Sequence, residues 1–277
     1  MSAIAKTIWM IESRFGMPLS LDEMAAHAGV SRSHLSRIFP LATGTSISAY
    51  IRGRRLTEAA KSLAGGAPDI LAVALDAGYG SHEAFTRAFR DQFNLTPEAL
   101  RQRRSLDDLA LVDPLPMEAS VAVRLAPPVV EHRPTIRLAG LLERHDLSRG
   151  NTIPAQWQRC RPYLGNIPGA VGGATYGLIA LIDGACCDYM TAVEIASSTE
   201  IPDELTVAEI PAQRVARLRH RGHITTIRST IETIYREWLP TSGEEQADSY
   251  RFCEYYGADF NGATGLGTVE IWIGLKG

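Results

Sequence analysis

The feature that most constrains the fold of this chain is an internal repeat within its first hundred residues. Residues 24–29 align with residues 73–78 at an offset of 49, and residues 35–39 align with residues 85–89 at an offset of 50. Each copy is typical of a short helix, a turn entered through glycine, a polar cap and a second helix. The pattern predicts two helix-turn-helix units joined by one amphipathic helix.

The second helix of each copy buries an apolar stripe and turns a polar face outward. Arginine, histidine and hydroxyl side chains are suited to reading base edges and binding phosphates. The candidate DNA-binding residues are Arg32, Ser33, Ser36 and Arg37 in the first copy and His82, Glu83, Thr86, Arg87 and Arg90 in the second. The competing interpretation is a helical bundle whose polar faces only meet water, although two copies in register are hard to obtain by chance.

The front of the chain resembles the DNA-binding domain of AraC/XylS-type transcription regulators over about residues 4–104. The matching positions are Arg55-Leu56, Ala59, Leu63, Ile70, Val73-Ala74, Ala77-Gly78-Tyr79, Phe85, Arg87, Phe89 and Asn94-Leu95-Thr96-Pro97. The resemblance implies seven helices, with recognition helices at about 31–39 and 81–92 in successive major-groove segments of double-stranded DNA. Pro40 departs from the family pattern, so the first recognition helix is expected to end early.

Length and charge indicate two domains with different partners. At roughly 100–200 residues per domain, 277 residues favour two. Residues 1–105 carry 13 basic and 9 acidic side chains, a net of +4, whereas the rest carry 15 and 22, a net of −7. A mildly basic front permits contact with nucleic acid without proving it.

Other classes of protein are excluded by what the sequence lacks. The longest uninterrupted apolar run, residues 70–75, is far shorter than the roughly 20 residues of a membrane helix. There is no apolar segment behind a basic start, as a secretory signal would have. The four cysteines form no CxxC pair and suggest no disulfide framework. We therefore expect a cytoplasmic protein with no membrane partner and no metal.

The residue pattern changes after about residue 105. The predicted organisation is a DNA-binding domain over 1–106, a proline-containing linker over 107–127 and a rear domain over 128–277. In the rear domain the periodicity predicts strands near 129–142, 174–182, 188–197, 205–220, 250–256 and 267–275, with helices at 153–164 and 223–239. The predicted fold class is multidomain: an all-α double helix-turn-helix domain, then an α+β domain of two βαββ units. In that α+β domain both helices lie on one face of an antiparallel sheet.

The last predicted strand contains a carboxylate that shares a face with a tryptophan. Alternation along the strand puts Glu270 and Trp272 on one side and the aliphatic residues on the other. Two interpretations remain open at this point. Glu270 is either an ordinary solvated charge, or it lines an aromatic cavity with Tyr176, Tyr189, Tyr256 or Trp157, in which case the site would favour a cation.

The rear domain resembles the GyrI-like effector-binding domain over about residues 128–277. The similar segments are Thr175-Tyr176-Gly177, Asp188-Tyr189, residues 210–214, 220–222 and 234–243, and Glu270-Ile271-Trp272-Ile273. The resemblance implies an aromatic pocket for drug-like, often cationic compounds, with Glu270 as its carboxylate. Glu254 is a second candidate, for which a structural role and a pocket role are about equally expected. Gly274 stands where the family has proline, so a looser last strand is expected.

Together these features predict a DNA-binding transcription regulator controlled by a small cationic or lipophilic aromatic effector. The expected partners are promoter DNA, the effector and RNA polymerase, and we expect no cofactor and no enzymatic activity. Two alternatives stay open: a GyrI-like hydrolase of reactive small molecules, and a DNA-binding protein whose rear domain only binds another protein.

Overall fold

A computed structural model of the chain describes residues 2–116, 123–146, 151–183, 186–196 and 200–277. The chain divides into an N-terminal unit, residues 2–116, and a C-terminal unit, residues 117–277. Residues 107–116, which the sequence assigned to the linker, therefore belong to the N-terminal unit. The predicted boundaries at 106 and 128 otherwise stay a prediction.

The described part of the N-terminal unit contains seven α-helices. They are α1 (Ala3–Glu12), α2 (Leu21–Ala28), α3 (Arg32–Thr43), α4 (Ile47–Ala64), α5 (Ile70–Asp76), α6 (His82–Phe93) and α7 (Pro97–Arg103). Like α1 at Ser2, five further helices begin at a hydroxyl side chain that accepts a hydrogen bond from the backbone N–H three residues later: Ser20, Ser31, Ser46, Ser81 and Thr96. These are the cap positions that the sequence pattern predicts.

Both helix-turn-helix turns follow the predicted glycine geometry. Gly29 has a φ of 74° and Gly78 a φ of 79°, in the left-handed region that glycine enters without strain. Beyond the turn, α3 does not end early. It runs through Pro40 to Thr43, because the N–H of Gly44 still bonds to the carbonyl of Pro40 at 2.9 Å. The expectation of an early end was wrong.

A buried ion pair lies between α1 and α4. The guanidinium of Arg54 binds the carboxylate of Glu12 at 3.0 Å, and neither side chain has any exposed surface. The hydroxyl of Tyr50 donates to the same carboxylate at 2.6 Å. Burial lowers the pKa of Arg54, but the Glu12 carboxylate more than reverses this, so the guanidinium stays charged. The helices thus join through a fully desolvated charge network.

The same surface of α4 holds the start of the predicted linker. The N–H of Val112 donates to Thr57 Oγ1 at 2.9 Å, and the Val112 carbonyl accepts from Arg54 at 2.9 Å. The N–H of Leu115 donates to the Tyr50 hydroxyl at 2.8 Å. The segment 112–115 is therefore fastened to the N-terminal unit rather than extended away from it.

The C-terminal unit is an eight-stranded antiparallel sheet with helices. Its strands are β1 (Val129–Arg133), β2 (Ile136–Asp146), β3 (Ala170–Asp183), β4 (Cys186–Ile195), β5 (Thr206–Ile210), β6 (Gln213–His223), β7 (Phe252–Tyr256) and β8 (Leu266–Leu275). Helix α8 (Ile153–Cys160) follows β2. After β6 come a 3₁₀ turn (Ile224–Thr226), α9 (Ile227–Thr233), a π-helical turn (Ile234–Trp238) and α10 (Leu239–Thr241). The predicted α+β class is confirmed, but the predicted strands 129–142 and 205–220 are each interrupted, at Pro134 and Pro211.

The order of the strands forces the sheet to curl. The order is β1-β6-β8-β7-β3-β4-β2-β5. Strand β1 therefore leaves the first unit (β1–β4) to pair with β6, and β5 leaves the second unit (β5–β8) to pair with β2. In a flat sheet β1 and β2 would lie roughly 29 Å apart, six spacings of about 4.8 Å. Only three residue steps join Arg133 to Ile136, and these span at most about 11 Å. Strands β5 and β6 are joined in the same way, so the two edges must approach each other.

The two faces of this curled sheet carry separate cores. On the helix face, Tyr189, Leu218 and Ile271 pack with Trp157 of α8 and residues of α9. On the inner face, Ile136, Leu138 and Ile210 from one edge pack with Val215, Tyr176 and Trp272. In the part of the chain that the structure describes, this inner core contains no helical side chain, and the curled strands surround it.

Candidate functional site

The predicted DNA-binding residues of α3 share one exposed face. Leu35 and Phe39 are buried, whereas Arg32, Ser33, Ser36 and Arg37 are exposed. Arg32 makes an ion pair with Asp22 of α2 at 3.3 Å, in which both side chains stay mostly exposed. An exposed pair of this kind contributes little and leaves the guanidinium available to a phosphate.

The outward face of α6 borders a surface groove of about 800 Å³. His82, Glu83, Arg87 and Arg90 are exposed there, and Thr86 is half-buried. The groove is also lined by Asp91 and Asn94, which the sequence analysis did not single out. Both lie one helical turn beyond a predicted arginine, a spacing that could have identified them.

Glu83 is held as an anion at the start of α6. Its own backbone N–H and the hydroxyl of Ser81 lower the pKa of the exposed Glu83 carboxyl. A carboxylate in this position is an acceptor for the amino group of cytosine, whereas the neighbouring arginines suit guanine or phosphate.

The six predicted pocket residues do not form one site. Tyr189, Tyr256 and Trp157 lie on the helix face, whereas Glu270, Trp272 and Tyr176 lie on the inner face. The register explains the separation, because Glu254 pairs with Ile271 and therefore shares its face, opposite Glu270 and Trp272. The predicted single pocket around Glu270 is thus replaced by two separate clusters.

The helix face holds a carboxylate within an aromatic cage, formed by Glu254, Tyr189, Tyr256 and Trp157. Glu254 Oε2 accepts hydrogen bonds from the hydroxyls of Tyr189 at 2.6 Å and Tyr256 at 2.8 Å. Trp157 Nε1 donates to the Tyr189 hydroxyl at 3.0 Å, and its ring meets that of Tyr256 edge-on at 5.1 Å. Glu254 itself is only 6% exposed.

Gly177 of β3 makes room for this cage. A Cβ atom there would lie 2.1 Å from the Tyr189 hydroxyl and 2.5 Å from Glu254 Oε2. Any side chain at this position would therefore push apart the carboxylate and its hydrogen-bond donor.

The cage has the electrostatics of a cation-binding site. Burial raises the pKa of Glu254, while the two tyrosine hydroxyls lower it in part. Burial, followed by the nearby carboxylate, raises the pKa of both tyrosines, so they remain donors. A partly compensated carboxylate among aromatic faces attracts a cation and repels an anion.

Glu270, by contrast, already has cationic partners. It lies 3.3 Å from Arg217 Nε and 3.7 Å from Arg219 Nε, and it accepts a hydrogen bond from Trp272 Nε1 at 3.0 Å. The guanidinium of Arg133 stacks on Trp272, 4.1 Å from the ring centre. A further cation would have to displace an arginine, so this carboxylate is poorly suited to bind one.

Gly274 does not loosen β8, which continues to Leu275. It pairs with Val215, and a Cβ there would lie 2.9 Å from the side-chain oxygen of Gln213. The glycine therefore accommodates Gln213, and the expected loosening was wrong.

Within the described ranges, no three His, Cys, Asp or Glu side chains are grouped so as to hold a metal ion. None of the helices in the same ranges is long and apolar enough to cross a membrane.

Two family models match the chain. The model described as a helix-turn-helix domain matches residues 24–103, and the GyrI-like small molecule binding domain matches residues 126–276. The first overlaps both recognition helices, and the second covers the whole curled sheet and more than half of the chain.

The curated relatives match less than two fifths of the chain. Transcriptional regulator Rob of Salmonella typhimurium is 44% identical over 108 residues, which are 39% of this chain and 37% of that protein. The multiple antibiotic resistance protein MarA of Escherichia coli is 34% identical over 105 residues, 38% of this chain and 83% of that protein. A solved structure of SAV2435 bound to tetraphenylphosphonium covers 55% of this chain and 95% of its own, at 17% identity and a TM-score of 0.45. The match with Rob thus spans little more than a third of the length of that protein.

Proposed function

We propose that this chain, which belongs to the GyrI-like small molecule binding domain family, is a sequence-specific DNA-binding regulator controlled by a cationic effector. The chain also carries an AraC-type helix-turn-helix region. The observation that carries the proposal is the pair of exposed basic faces on α3 and α6, in one chain with a carboxylate in an aromatic cage. Neither feature serves the stability of the fold, since one faces solvent and the other buries a charge.

The DNA contacts would be divided between the two recognition helices. Arg37 and Arg87 lie at equivalent positions of the repeat, at the offset of 50 that aligns 35–39 with 85–89. Both side chains are exposed and neither helix buries its polar face within the N-terminal unit. Two equivalent arginines are expected to enter successive segments of the major groove, roughly 34 Å apart.

Arg37→Ala and Arg87→Ala are each expected to weaken specific DNA binding by about 1–3 kcal/mol, roughly five- to a hundredfold. Each change removes a bidentate donor to a base or phosphate without touching the buried core. Fluorescence anisotropy with a duplex from the protein's own promoter region measures the effect. Arg161→Ala, an exposed arginine of the C-terminal unit, loses the same charge and should bind as wild type does. Unchanged affinity in both recognition-helix variants would show that these faces do not enter the grooves.

Salt should weaken DNA binding to a moderate degree. If Arg32, Arg37, Arg87 and Arg90 each neutralise one phosphate, log K should fall with log salt at a slope of about −3 to −4. Titrations between low and physiological salt measure this slope. A flat response would contradict DNA binding, and a much steeper one would require basic residues outside α3 and α6.

The effector would occupy the cage around Glu254 rather than a site at Glu270. Glu254 is buried with hydrogen bonds from two tyrosines, whereas two arginines already neutralise Glu270. Glu254 is only 6% exposed, and Trp157, which donates to the Tyr189 hydroxyl, is half-buried, so we expect a ligand to displace side chains of the cage as it enters. The lipophilic character of the ligand follows from the aromatic walls.

Control of DNA binding requires that the effector favour one state of the chain over another. If a cation bound in the cage changes the affinity of the chain for DNA, or for RNA polymerase, by some factor, then DNA or RNA polymerase must change the affinity of the chain for the cation by the same factor. Anisotropy titrations of promoter DNA with and without benzyltrimethylammonium measure that factor. The hydrolase and the protein-interaction alternatives both predict no change.

A further inference from the structure

The curl of the sheet leaves a cavity of about 490 Å³ where its two edges meet. The cavity is lined by residues 132–134, at the end of β1 and the start of the β1–β2 connection, by residues 212–214, at the end of the β5–β6 connection and the start of β6, and by Leu275 and Gly277. The two connections touch here, since the N–H of Ala212 donates to Thr135 Oγ1 at 3.1 Å. This place belongs to the inner face and is separate from the cage of Glu254.

Three buried hydrogen-bonding atoms at this seam have no partner among the described residues outside their own group. They are Arg133 Nε, Gln213 Nε2 and the hydroxyl of Tyr250, and each is shielded from solvent. The amide of Gln213 is oriented by Ser249, whose hydroxyl donates to Gln213 Oε1 at 3.0 Å. The NH₂ group of Gln213 therefore points away from Ser249.

These three groups are neighbours. Burial and, to a smaller extent, Cys253 raise the pKa of Tyr250, whereas a hydrogen bond from the Gln213 amide and then the charge of the Arg133 guanidinium lower it. The net direction is upward, so the hydroxyl stays protonated and can donate. Arg133 Nε, the Gln213 amide and the Tyr250 phenol thus lie in one place, and among the described residues they have no acceptor outside this group.

The surrounding charge is positive. Arg133 and Arg217 share Glu131 at 3.1 and 3.0 Å, and Arg217 and Arg219 share Glu270 at 3.3 and 3.7 Å. Among the described residues, three guanidinium groups therefore face two carboxylates, an excess of one positive charge in this cluster. The remaining arginine of the cavity, Arg214, is paired with Glu244 at 2.9 Å.

We propose that this cavity is a second ligand site, which binds a small molecule through a carboxylate group. The two carboxylate oxygens can accept up to four hydrogen bonds, enough for Arg133, Gln213 and Tyr250 together. Its negative charge would complete the charge balance of the cluster. Pro134 and Leu275 offer apolar contact to the body of the molecule. The site selects the opposite charge from the cage of Glu254 and does not depend on the function proposed above.

Calorimetric titration of the full chain with benzoate tests the site, with benzamide as the neutral molecule of the same shape. Benzoate should bind and benzamide should not at the same concentrations. Tyr250→Phe should weaken benzoate about tenfold or more, since it removes a hydrogen bond to a charged group. Gln213→Glu, which keeps the shape and places a carboxylate in the site, should abolish benzoate binding. Tyr163→Phe, at an exposed tyrosine, should bind as wild type does.

Stability distinguishes a ligand site from a structural hydroxyl. Because the hydroxyl of Tyr250 has only the Gln213 amide as a partner and no acceptor among the described residues, Tyr250→Phe should change the melting temperature of the free protein little. A marked loss of stability would overturn the proposal by showing that the hydroxyl holds the fold together. Wild-type affinity for benzoate in Tyr250→Phe, or equal binding of benzamide, would overturn it as well.

Discussion

Glu254→Gln is expected to weaken binding of benzyltrimethylammonium about ten- to a hundredfold while changing the affinity for its neutral isostere, neopentylbenzene, by less than about twofold. Opposite charges 4 Å apart attract by about 4 kcal/mol at the effective dielectric of a protein, and desolvation of the cation takes back part of this. Glutamine keeps the shape and can still accept from Tyr189 and Tyr256. Calorimetric titration of both ligands against both proteins measures the difference.

Glu270→Gln is the matched control for this experiment. It removes a carboxylate from the opposite face of the sheet, where Arg217 and Arg219 already neutralise it. Cation affinity should therefore be unchanged in this variant. The reverse result, a loss with Glu270→Gln and none with Glu254→Gln, would restore the site that the sequence pattern had favoured.

The same substitution at Glu254 should stabilise the empty protein at neutral pH. Because burial raises the pKa of Glu254 in the folded state, the folded protein binds the proton more tightly than the unfolded chain does. The stability gained from this proton is complete below the unfolded pKa of about 4.3. That contribution is lost as the pH rises through the folded pKa. Glutamine carries no such loss, so its advantage in melting temperature should be present at pH 7 and shrink on acidification. The affinity of the wild-type protein for the cation should fall over the same pH range on acidification, because the carboxylate takes up a proton.

Arg54→Met is expected to destabilise the N-terminal unit by about 3–5 kcal/mol, the usual cost of removing one partner of a buried ion pair. The substitution leaves the Glu12 carboxylate without its guanidinium in a place with no exposed surface, and it removes the contact to the Val112 carbonyl. Urea unfolding of the full chain, followed by helical circular dichroism, measures the loss.

Arg52→Met is the control for this second prediction. Arg52 is an exposed arginine of the same helix, α4, so its replacement should change stability by no more than about 0.5 kcal/mol. The double variant Glu12→Gln/Arg54→Met should recover part of the lost stability, because it removes the stranded charge as well. Equal, small effects of Arg54→Met and Arg52→Met would show that the pair contributes little to the unit.

The local features of the N-terminal unit could be predicted because they depend on short-range pattern. The cap residues Ser31 and Ser81, the glycine turns at Gly29 and Gly78 and the outward positions of Arg37 and Arg87 all follow from spacing within a few helical turns. Pro40 was the exception. A proline lowers the propensity for helix, but the hydrogen bonds that follow it and the packing of Phe39 maintain α3 to Thr43.

The choice of carboxylate could not be made from the same kind of pattern. Alternation along β8 correctly separated Glu270 from Ile271, but it does not say which face of the sheet meets the helices or which side chains come from other strands. Glu254, in Phe252-Cys253-Glu254-Tyr255-Tyr256, carried a signal of its own, since it shares a face with Tyr256 two residues later.

Charge pairing across strands was equally invisible in the sequence. Arg217 and Arg219 approach Glu270 only because β6 pairs with β8 in one particular register. The exchange of β1 and β5 between the two halves then curls the sheet and creates the seam at Arg133 and Gln213. Sequence alone determined most of the helices and strands and the alternation of side chains along them, because these depend on neighbours along the chain. Only the tertiary structure decided which carboxylate is left without a cation and which donors are left without an acceptor, because electrostatic pairing acts between residues that are distant in sequence and adjacent in space.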